Sequence, residues 1–298
     1  MGTNPSGTAD IADLAGIIKW LDGSGRLVRV RTEVDPVHQL AGIAARFEGG
    51  PRAVLFEKVK GSRYPVFAGL YWSRELLGGL LGRPVLSLPQ YVSECIRDWQ
   101  QHPVAPVVLR RGPVNEVTED NADLSRLPVP THAELDGGPY FDAGVVITKD
   151  PETGIRNTSI QRFQVVGKDR LAINIDAGRH LELCLAKAAA RTQTLPFTLN
   201  IGVGPGLHFA AAVPAEAAPF GTDELGIASR FNGKPLELVA SNLSPVEMAA
   251  DAMIALECEL VPGKTGPQIG VIERDYPRTF ERFTSLGPLM AKVGNGGK

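Results

Sequence analysis

Apolar side chains recur every three or four residues in several stretches of the first hundred positions, the spacing of one face of a helix. Short apolar runs of strand length lie between these stretches. Helices are therefore predicted at residues 10–22, 38–48, 74–82 and 88–100, and strands at 27–30, 53–56 and 66–70. This alternation predicts a small α/β domain in the N-terminal third of the chain.

Runs rich in β-branched side chains dominate the rest of the chain. Strands are predicted at residues 145–148, 159–166, 171–175 and 197–203, followed by a β-rich stretch at 236–261. A single helix is predicted among them at residues 178–191, where Leu181, Cys184, Leu185 and Ala188 form an apolar stripe. Several strands with one inserted helix predict a second domain that resembles a β-barrel.

These patterns together predict the fold class α/β (α+β), and 298 residues suit two domains. An amphipathic stretch at 277–293 adds a further predicted helix. The expected divisions are a disordered tail at 1–8, an N-terminal α/β domain at 9–112, a barrel domain at 113–276, and a C-terminal helix and tail at 277–298.

The composition is that of a folded soluble protein, because 43% hydrophobic and 21% charged residues exclude a mostly disordered chain. A net charge of −2 argues against a broad surface for nucleic acid or for an anionic membrane. The sequence has neither an apolar run long enough to span a membrane nor a secretory signal pattern. Three widely spaced cysteines form no disulfide framework or C-x-x-C motif, so we expect a cytoplasmic protein.

Polar residues cluster in the segment Asn157–Arg162, which opens a predicted strand. Because side chains alternate along a strand, the odd-numbered polar residues share one face and Arg162 lies on the other. An arginine flanked by Ile160 and Phe163 is compatible with a buried clamp for an anion such as a carboxylate. The pattern alone favours the alternative, a solvated arginine on an edge strand.

Two other side chains have metal-ligand chemistry without a local motif. His180 lies in the first turn of the helix predicted at 178–191, where an imidazole suits either a divalent metal or a packing role. Glu224 lies in a polar loop, where its carboxylate suits either a hard cation or solvent. Spacing does not establish a site, because Asn157, His180 and Glu224 are far apart along the chain.

Several motifs spread over residues 10–268 occur together in one known family. An N-x-S-I-x-R signature stands at Asn157–Arg162. Further matching segments are Gly25–Val30, Glu33–Pro36, Val54–Gly61, Ala211–Pro214, Glu224–Gly226 and Pro235–Val239. In this combination the sequence resembles the UbiD family of reversible decarboxylases, and the combination is far more specific than any single motif.

The resemblance implies a prenylated FMN cofactor whose phosphate is held through a divalent metal, usually Mn²⁺, with K⁺ nearby. The family's metal ligands correspond to Asn157, His180 and Glu224, and Arg162 corresponds to the arginine that binds the substrate carboxylate. The resemblance implies cofactor contacts at Asn157, Ser159, Ile160, Gln161, Arg162, Arg179, His180, Val213, Pro214 and Glu224.

The fold implied by the resemblance is a small N-terminal α/β domain followed by a split β-barrel flavin-binding domain. The implied reaction is non-oxidative decarboxylation, or its reverse, of an aromatic, heteroaromatic or α,β-unsaturated carboxylic acid. Its flavin supplies an electron sink that side chains lack. The implied partners are a small carboxylic acid, CO₂, a flavin prenyltransferase as cofactor supplier, and further subunits of a homo- or hetero-oligomer. No nucleic-acid or membrane partner is expected.

The sequence departs from the family at two points. The family pairs its arginine with two carboxylates; Glu273 corresponds to the second, whereas Gln268 replaces the first. Glutamine cannot exchange a proton, so either Glu273 alone or another group is expected to transfer the proton. The second departure is length, because nothing after about residue 276 resembles the C-terminal domain of the family.

Three hypotheses follow from these observations. The first is a decarboxylase that uses prenylated FMN, in which Arg162 binds the carboxylate and Glu273 transfers the proton. The second is a non-catalytic or auxiliary UbiD-like subunit that acts with a partner chain, which Gln268 and the chain length favour. The third is a flavin-binding protein of another activity, or a binding module for an acidic small molecule.

Overall fold

The structure is a computed structural model that describes residues 11–119, 122–265 and 289–293. Its N-terminal strands are β1 (Leu27–Val30), β2 (Ala53–Phe56) and β3 (Val66–Ala68), and its helices are α1 (Leu14–Gly23), α2 (Gln39–Ala45), α3 (Arg74–Leu81) and α4 (Leu88–Gln101). The strands form one sheet, in which β2 is parallel to β1 and antiparallel to β3. All elements predicted for this region are confirmed, with small shifts at their ends.

The central strand β2 is buried along its whole length and separates two small cores. Ala53 packs with Ile17 of α1 and Leu76 of α3 in one core. Phe56 packs with Leu40 of α2 in the other. Helices therefore cover both faces of the sheet. Because both faces of β2 are buried, all four of its residues are apolar.

The described residues after α4 form nine further strands and three α-helices. The strands are β4 (Val107–Leu109), β5 (Tyr140–Lys149), β6 (Arg156–Gly167), β7 (Arg170–Ile173), β8 (Leu195–Ile201), β9 (Glu237–Ala240), β10 (Glu247–Ala249), β11 (Ile254–Thr265) and β12 (Leu289–Val293). The helices are α5 (His180–Ala190), α6 (Pro205–Ala211) and α7 (Leu225–Asn232). Six strands close an antiparallel barrel in the order β11-β12-β7-β6-β5-β8, which confirms the barrel prediction.

A three-stranded sheet of order β10-β9-β4 lies beside the barrel. Strand β4 pairs with β9, and α4 buries Cys95 and Trp99 in the same core as Ile227 of α7. The boundary predicted at residue 112 therefore falls within a core to which the segments on both sides contribute. Burial of the apolar stripe of α4 against α7 accounts for this arrangement.

Helices α6 and α7 correct the prediction of a single helix in the second part of the chain. Most residues of both helices are buried, so no polar face marks the helical period in the sequence. Within the described residues, no helix is long and apolar enough to cross a membrane.

The helix predicted at 277–293 is wrong for its last five residues, which form β12. Strand β12 pairs antiparallel with β11 on one side and β7 on the other, and this pairing closes the barrel. A helix there would leave the edges of β11 and β7 without partners, and unpaired strand edges are unfavourable. Residues 277–288, together with Gln268 and Glu273, lie outside the described residues.

Gly204 lies where the chain before α1 crosses the start of α6. A Cβ atom at this position would overlap the backbone carbonyl oxygens of Ile11 and Ala12. We expect Gly204→Ala to lower the free energy of unfolding by about 1–3 kcal/mol, because backbone atoms must shift to admit it. Urea unfolding measures this change.

Gly42 in α2 provides the matched control, since an added Cβ there has no neighbour within 4 Å. Gly42→Ala should leave the free energy of unfolding unchanged or higher, because alanine favours a helix. Equal effects of the two substitutions would contradict the close packing of residues 11–12 on α6.

Candidate functional site

Three side chains predicted as metal ligands lie together, although they come from separate elements. Asn157 is at the start of β6, His180 begins α5, and Glu224 immediately precedes α7. Nδ2 of Asn157 donates to Oε1 of Glu224 at 3.0 Å, and Nδ1 of His180 lies 3.3 Å from the same oxygen. Nδ2 of Asn157 and Nδ1 of His180 are also 3.3 Å apart. The three side chains, called the ligand trio below, converge near the turn of the β5–β6 hairpin.

Burial controls the charge states within the ligand trio. Glu224 is only 3% exposed, and this burial raises the pKa of its carboxyl to about 7. The backbone N–H of Thr158 donates to Oε2 of Glu224 at 3.2 Å and offsets part of that increase. Burial, with the nearby charge of Arg179, lowers the pKa of His180, so its imidazole is neutral near pH 7. A neutral imidazole cannot compensate the charge of the Glu224 carboxylate.

The donor atoms of the ligand trio suit a divalent cation. Oδ1 of Asn157 is buried and has no hydrogen-bond partner in the described part of the chain. An amide oxygen, an imidazole nitrogen and a carboxylate oxygen are ligands that ions such as Mn²⁺ accept. A cation where the three side chains meet would compensate Glu224. Nδ2 of Asn157 faces this point, so the side-chain amide would turn over to present Oδ1 to the ion. No three His, Cys, Asp or Glu side chains form a metal cluster among the described residues, so this set depends on the amide.

The rest of the N-x-S-I-x-R signature follows Asn157 along β6. Ser159 and Gln161 are half-buried and share a hydrogen bond of 3.2 Å, whereas Ile160 is 37% exposed. Arg162 is exposed, so the expectation of a buried clamp is wrong. The alternative of a solvated arginine on a strand edge fits the described structure, because β7 pairs with β6 only from Phe163 onwards and residues 157–161 pair with β5. Phe163 takes the inward position in the barrel core, which directs Arg162 to the opposite face.

A bulge in β5 faces Arg162, and the sequence pattern did not indicate it. Asp142 and Ala143 both lie opposite Arg162 in the pairing of β5 with β6. Nδ1 of His132 lies 3.1 Å from Oδ2 of Asp142, and Nε2 of His208 lies 3.1 Å from the carbonyl oxygen of Ala143. Neither histidine has a motif around it, and a bulge becomes visible only once the strands are paired.

The other predicted cofactor contacts lie just before α5 and just after α6. Arg179 is exposed and directly precedes His180 at the start of α5. Val213 is half-buried and Pro214 is exposed, both just after α6. Their contact with a cofactor stays a prediction, as do the catalytic roles of Gln268 and Glu273.

Two family models match most of the chain. The model of the 3-octaprenyl-4-hydroxybenzoate carboxy-lyase N-terminal domain matches residues 18–96. The model of the 3-octaprenyl-4-hydroxybenzoate carboxy-lyase Rift-related domain, named UbiD, matches residues 107–282. The second match includes every member of the ligand trio and Arg162.

Relatives share this similarity over most of the chain. An uncharacterized protein in the cooM 5′ region of Rhodospirillum rubrum is 70% identical over 289 residues, 95% of this chain and 62% of that protein. The anhydromevalonate phosphate decarboxylase of Methanosarcina mazei is 35% identical over 73% of this chain and 48% of its own length. The chain therefore spans less than two thirds of either protein.

A solved structure has the same fold. It is an evolved dimeric form of the UbiD-class enzyme HmfF from Pelotomaculum thermopropionicum in complex with prenylated FMN (prFMN). The TM-score is 0.81 at 35% identity, and the match covers 95% of this chain and 64% of that one.

Proposed function

This chain belongs to the UbiD family of carboxy-lyases, and we propose that it carries out reversible, non-oxidative decarboxylation with prenylated FMN. The substrate we propose is a small aromatic, heteroaromatic or α,β-unsaturated carboxylic acid. The observation that carries the proposal is the convergence of Asn157, His180 and Glu224 from three elements. The complex of the HmfF neighbour with prFMN supports the choice of cofactor.

The ligand trio would hold Mn²⁺, and the metal would bind the cofactor phosphate, with K⁺ nearby. Support comes from the buried Glu224 carboxyl, which sits beside a neutral imidazole, and from the unpartnered Oδ1 of Asn157. A metal ion at this position would keep Glu224 ionised at neutral pH, because an adjacent positive charge favours the carboxylate.

Strand β6 would carry both ends of the site. Arg162 lies five residues beyond Asn157, and a strand rises about 3.3 Å per residue, so roughly 16 Å separates them along the strand. A flavin mononucleotide also has its phosphate and its ring system at opposite ends. Ser159, Ile160 and Gln161, on the intervening strand, would lie along the cofactor.

The bound flavin would supply the electron sink for loss of CO₂ from an sp² carbon. The chain's own residues would orient the substrate and move the proton. The exposed guanidinium of Arg162 would bind the substrate carboxylate, and a charge-assisted hydrogen bond of this kind contributes about 1.5–3 kcal/mol. Glu273 would transfer the proton to the carbon that loses CO₂.

A second candidate is an auxiliary subunit that binds the cofactor and acts with a partner chain. Gln268 favours it, because an amide cannot serve as a general acid or base. We also propose that the protein is an oligomer, which the dimeric form of the HmfF neighbour supports.

Native mass spectrometry of the chain produced with a flavin prenyltransferase and Mn²⁺ tests the proposal. We expect a mass increase equal to one prenylated FMN and one Mn²⁺ per chain, and CO₂ release from at least one acid of the proposed class. Cofactor binding without CO₂ release would favour the auxiliary subunit. A chain that binds neither flavin nor metal would overturn both proposals, and the same spectra give the number of subunits.

A further inference from the structure

Oppositely charged side chains directly precede Asn157 and Glu224 in the sequence, and the structure joins these two charged side chains in an ion pair. Arg156 precedes Asn157 on β6, and Asp223 precedes Glu224. Nη1 of Arg156 donates to Oδ2 of Asp223 at 2.8 Å. The ion pair therefore links β6 to the loop before α7 next to the point where both ligands meet.

The ion pair is anchored on a third residue, Glu247 of β10. Nε of Arg156 donates to Oε2 of Glu247 at 3.0 Å, and its Nη2 lies 3.3 Å from Oε1. Lys149 of β5 also donates to Oε1 of Glu247 at 2.7 Å. The side chains of Arg156 and Glu247 are only 20% and 11% exposed, so solvent screens their interaction less than that of a surface pair.

The other carboxylate oxygen of Asp223 extends the linkage into α7. Oδ1 of Asp223 accepts a hydrogen bond from the backbone N–H of Leu225 at 3.1 Å. Asp223 therefore connects Arg156 to the first turn of the helix that Glu224 precedes. A loop residue bonded on both sides has few conformations left, and its neighbour in the chain is restricted with it.

The network of Arg156, Lys149, Asp223 and Glu247 is electrically neutral by itself, with no contribution from the ligand trio. Arg156 and Lys149 supply two positive charges, and Asp223 and Glu247 supply two negative charges. The guanidinium of Arg156 is thus committed to carboxylates other than Glu224. The network therefore holds the loop that carries Glu224 without compensating the charge of its carboxylate.

We propose that Arg156 is a positioning residue that holds Asn157 and Glu224 at metal-binding distance through Asp223 and Glu247. This inference rests on the proposed metal site. Its physical basis is preorganisation: ligands that are already in place lose little conformational entropy when the ion binds, so the affinity is higher. A network that only stabilised the fold would not affect metal affinity at temperatures well below unfolding.

Arg156→Met tests this inference, with Mn²⁺ in the presence of FMN as the probe. Electron paramagnetic resonance of free Mn²⁺ measures the dissociation constant for the full chain. We expect Arg156→Met to weaken Mn²⁺ binding about 10- to 100-fold, the usual effect of losing a residue that orients a metal ligand. Arg156→Lys should retain part of the affinity, because an ammonium keeps the charge but lacks the guanidinium fork that reaches both carboxylates.

Arg29 of β1 provides a matched control, because its guanidinium also bridges two carboxylates. Its Nη2 lies 2.7 Å from Oδ2 of Asp22, and its Nη1 lies 2.8 Å from Oε1 of Glu57. Arg29→Met should leave the Mn²⁺ dissociation constant unchanged. If Arg156→Met remains folded and binds Mn²⁺ as tightly as the unmodified chain, the inference is wrong and the proposed function stands. If the unmodified chain binds no Mn²⁺, the proposed metal site fails and the inference fails with it.

Discussion

Arg162→Met is expected to reduce CO₂ release on the order of 10²–10³-fold while prenylated FMN and Mn²⁺ stay bound. The arginine would orient the substrate carboxylate, and a nonpolar side chain of similar length provides no charge or hydrogen-bond donor for it. The ligand trio lies at the far end of the β6 segment, so the variant should retain its cofactor. Steady-state kinetics together with the flavin absorbance and metal content of the same sample measure this result.

Two further variants show whether the loss is specific to Arg162. Arg170→Met removes another exposed arginine from the barrel, on β7, and should leave kcat/KM unchanged. Arg162→Lys should recover part of the rate, since it restores the charge without the bidentate geometry. Full activity of Arg162→Met would rule out the proposed carboxylate clamp.

Glu224→Gln is expected to abolish Mn²⁺ binding and, with it, cofactor binding. The substitution removes the only carboxylate of the ligand trio but keeps its shape, so the amide at 224 presents a weaker ligand to a divalent cation. Metal analysis of the purified variant measures the loss. Glu237→Gln in β9, which alters a carboxylate outside the ligand trio, should retain full metal content.

Glu224→Gln should have a higher free energy of unfolding than the unmodified chain when both proteins are free of metal at pH 8. Burial raises the pKa of Glu224 from 4.5 to about 7, so the folded state favours the protonated form. The unfolded chain loses this proton at lower pH than the folded chain does. Stability should therefore fall as the pH rises from about 4.5 to 7, and glutamine removes that dependence.

Urea unfolding of the metal-free proteins across this pH range measures the difference. Glu224→Gln should show a smaller decrease in the free energy of unfolding than the unmodified chain between pH 4.5 and 8. If the free energy of unfolding of the two proteins depends on pH in the same way, folding does not raise the pKa of Glu224. A carboxylate that lowers stability yet is essential for metal binding is a usual trade-off at a functional site.

The regular elements followed from the sequence because local periodicity encodes them. Helix α4 shows an apolar stripe at helical spacing, and β2 is a run of four apolar residues between polar ones. Helices α6 and α7 were not predicted, because both are buried on nearly all sides and their sequences lack the polar face that reveals a helical period. Strand β12 was not predicted, because its conformation depends on pairing with β7 and β11, which are distant in the sequence.

The residues of the site were predicted in a different way. Single side chains such as His180 and Glu224 were ambiguous on local pattern, and only the combination of family motifs joined them with Asn157. The structure then brought these three side chains within hydrogen-bond distance of one another.

The sequence by itself determined the α/β and barrel parts of this protein, its family and the residues worth testing. Only the tertiary structure decided the surroundings of those residues: the buried charge of Glu224, the exposure of Arg162 and the link between Arg156 and Asp223. The physical reason is that periodicity is a property of neighbours along the chain. Burial, charge compensation and ion pairing depend on groups that folding brings together from distant positions.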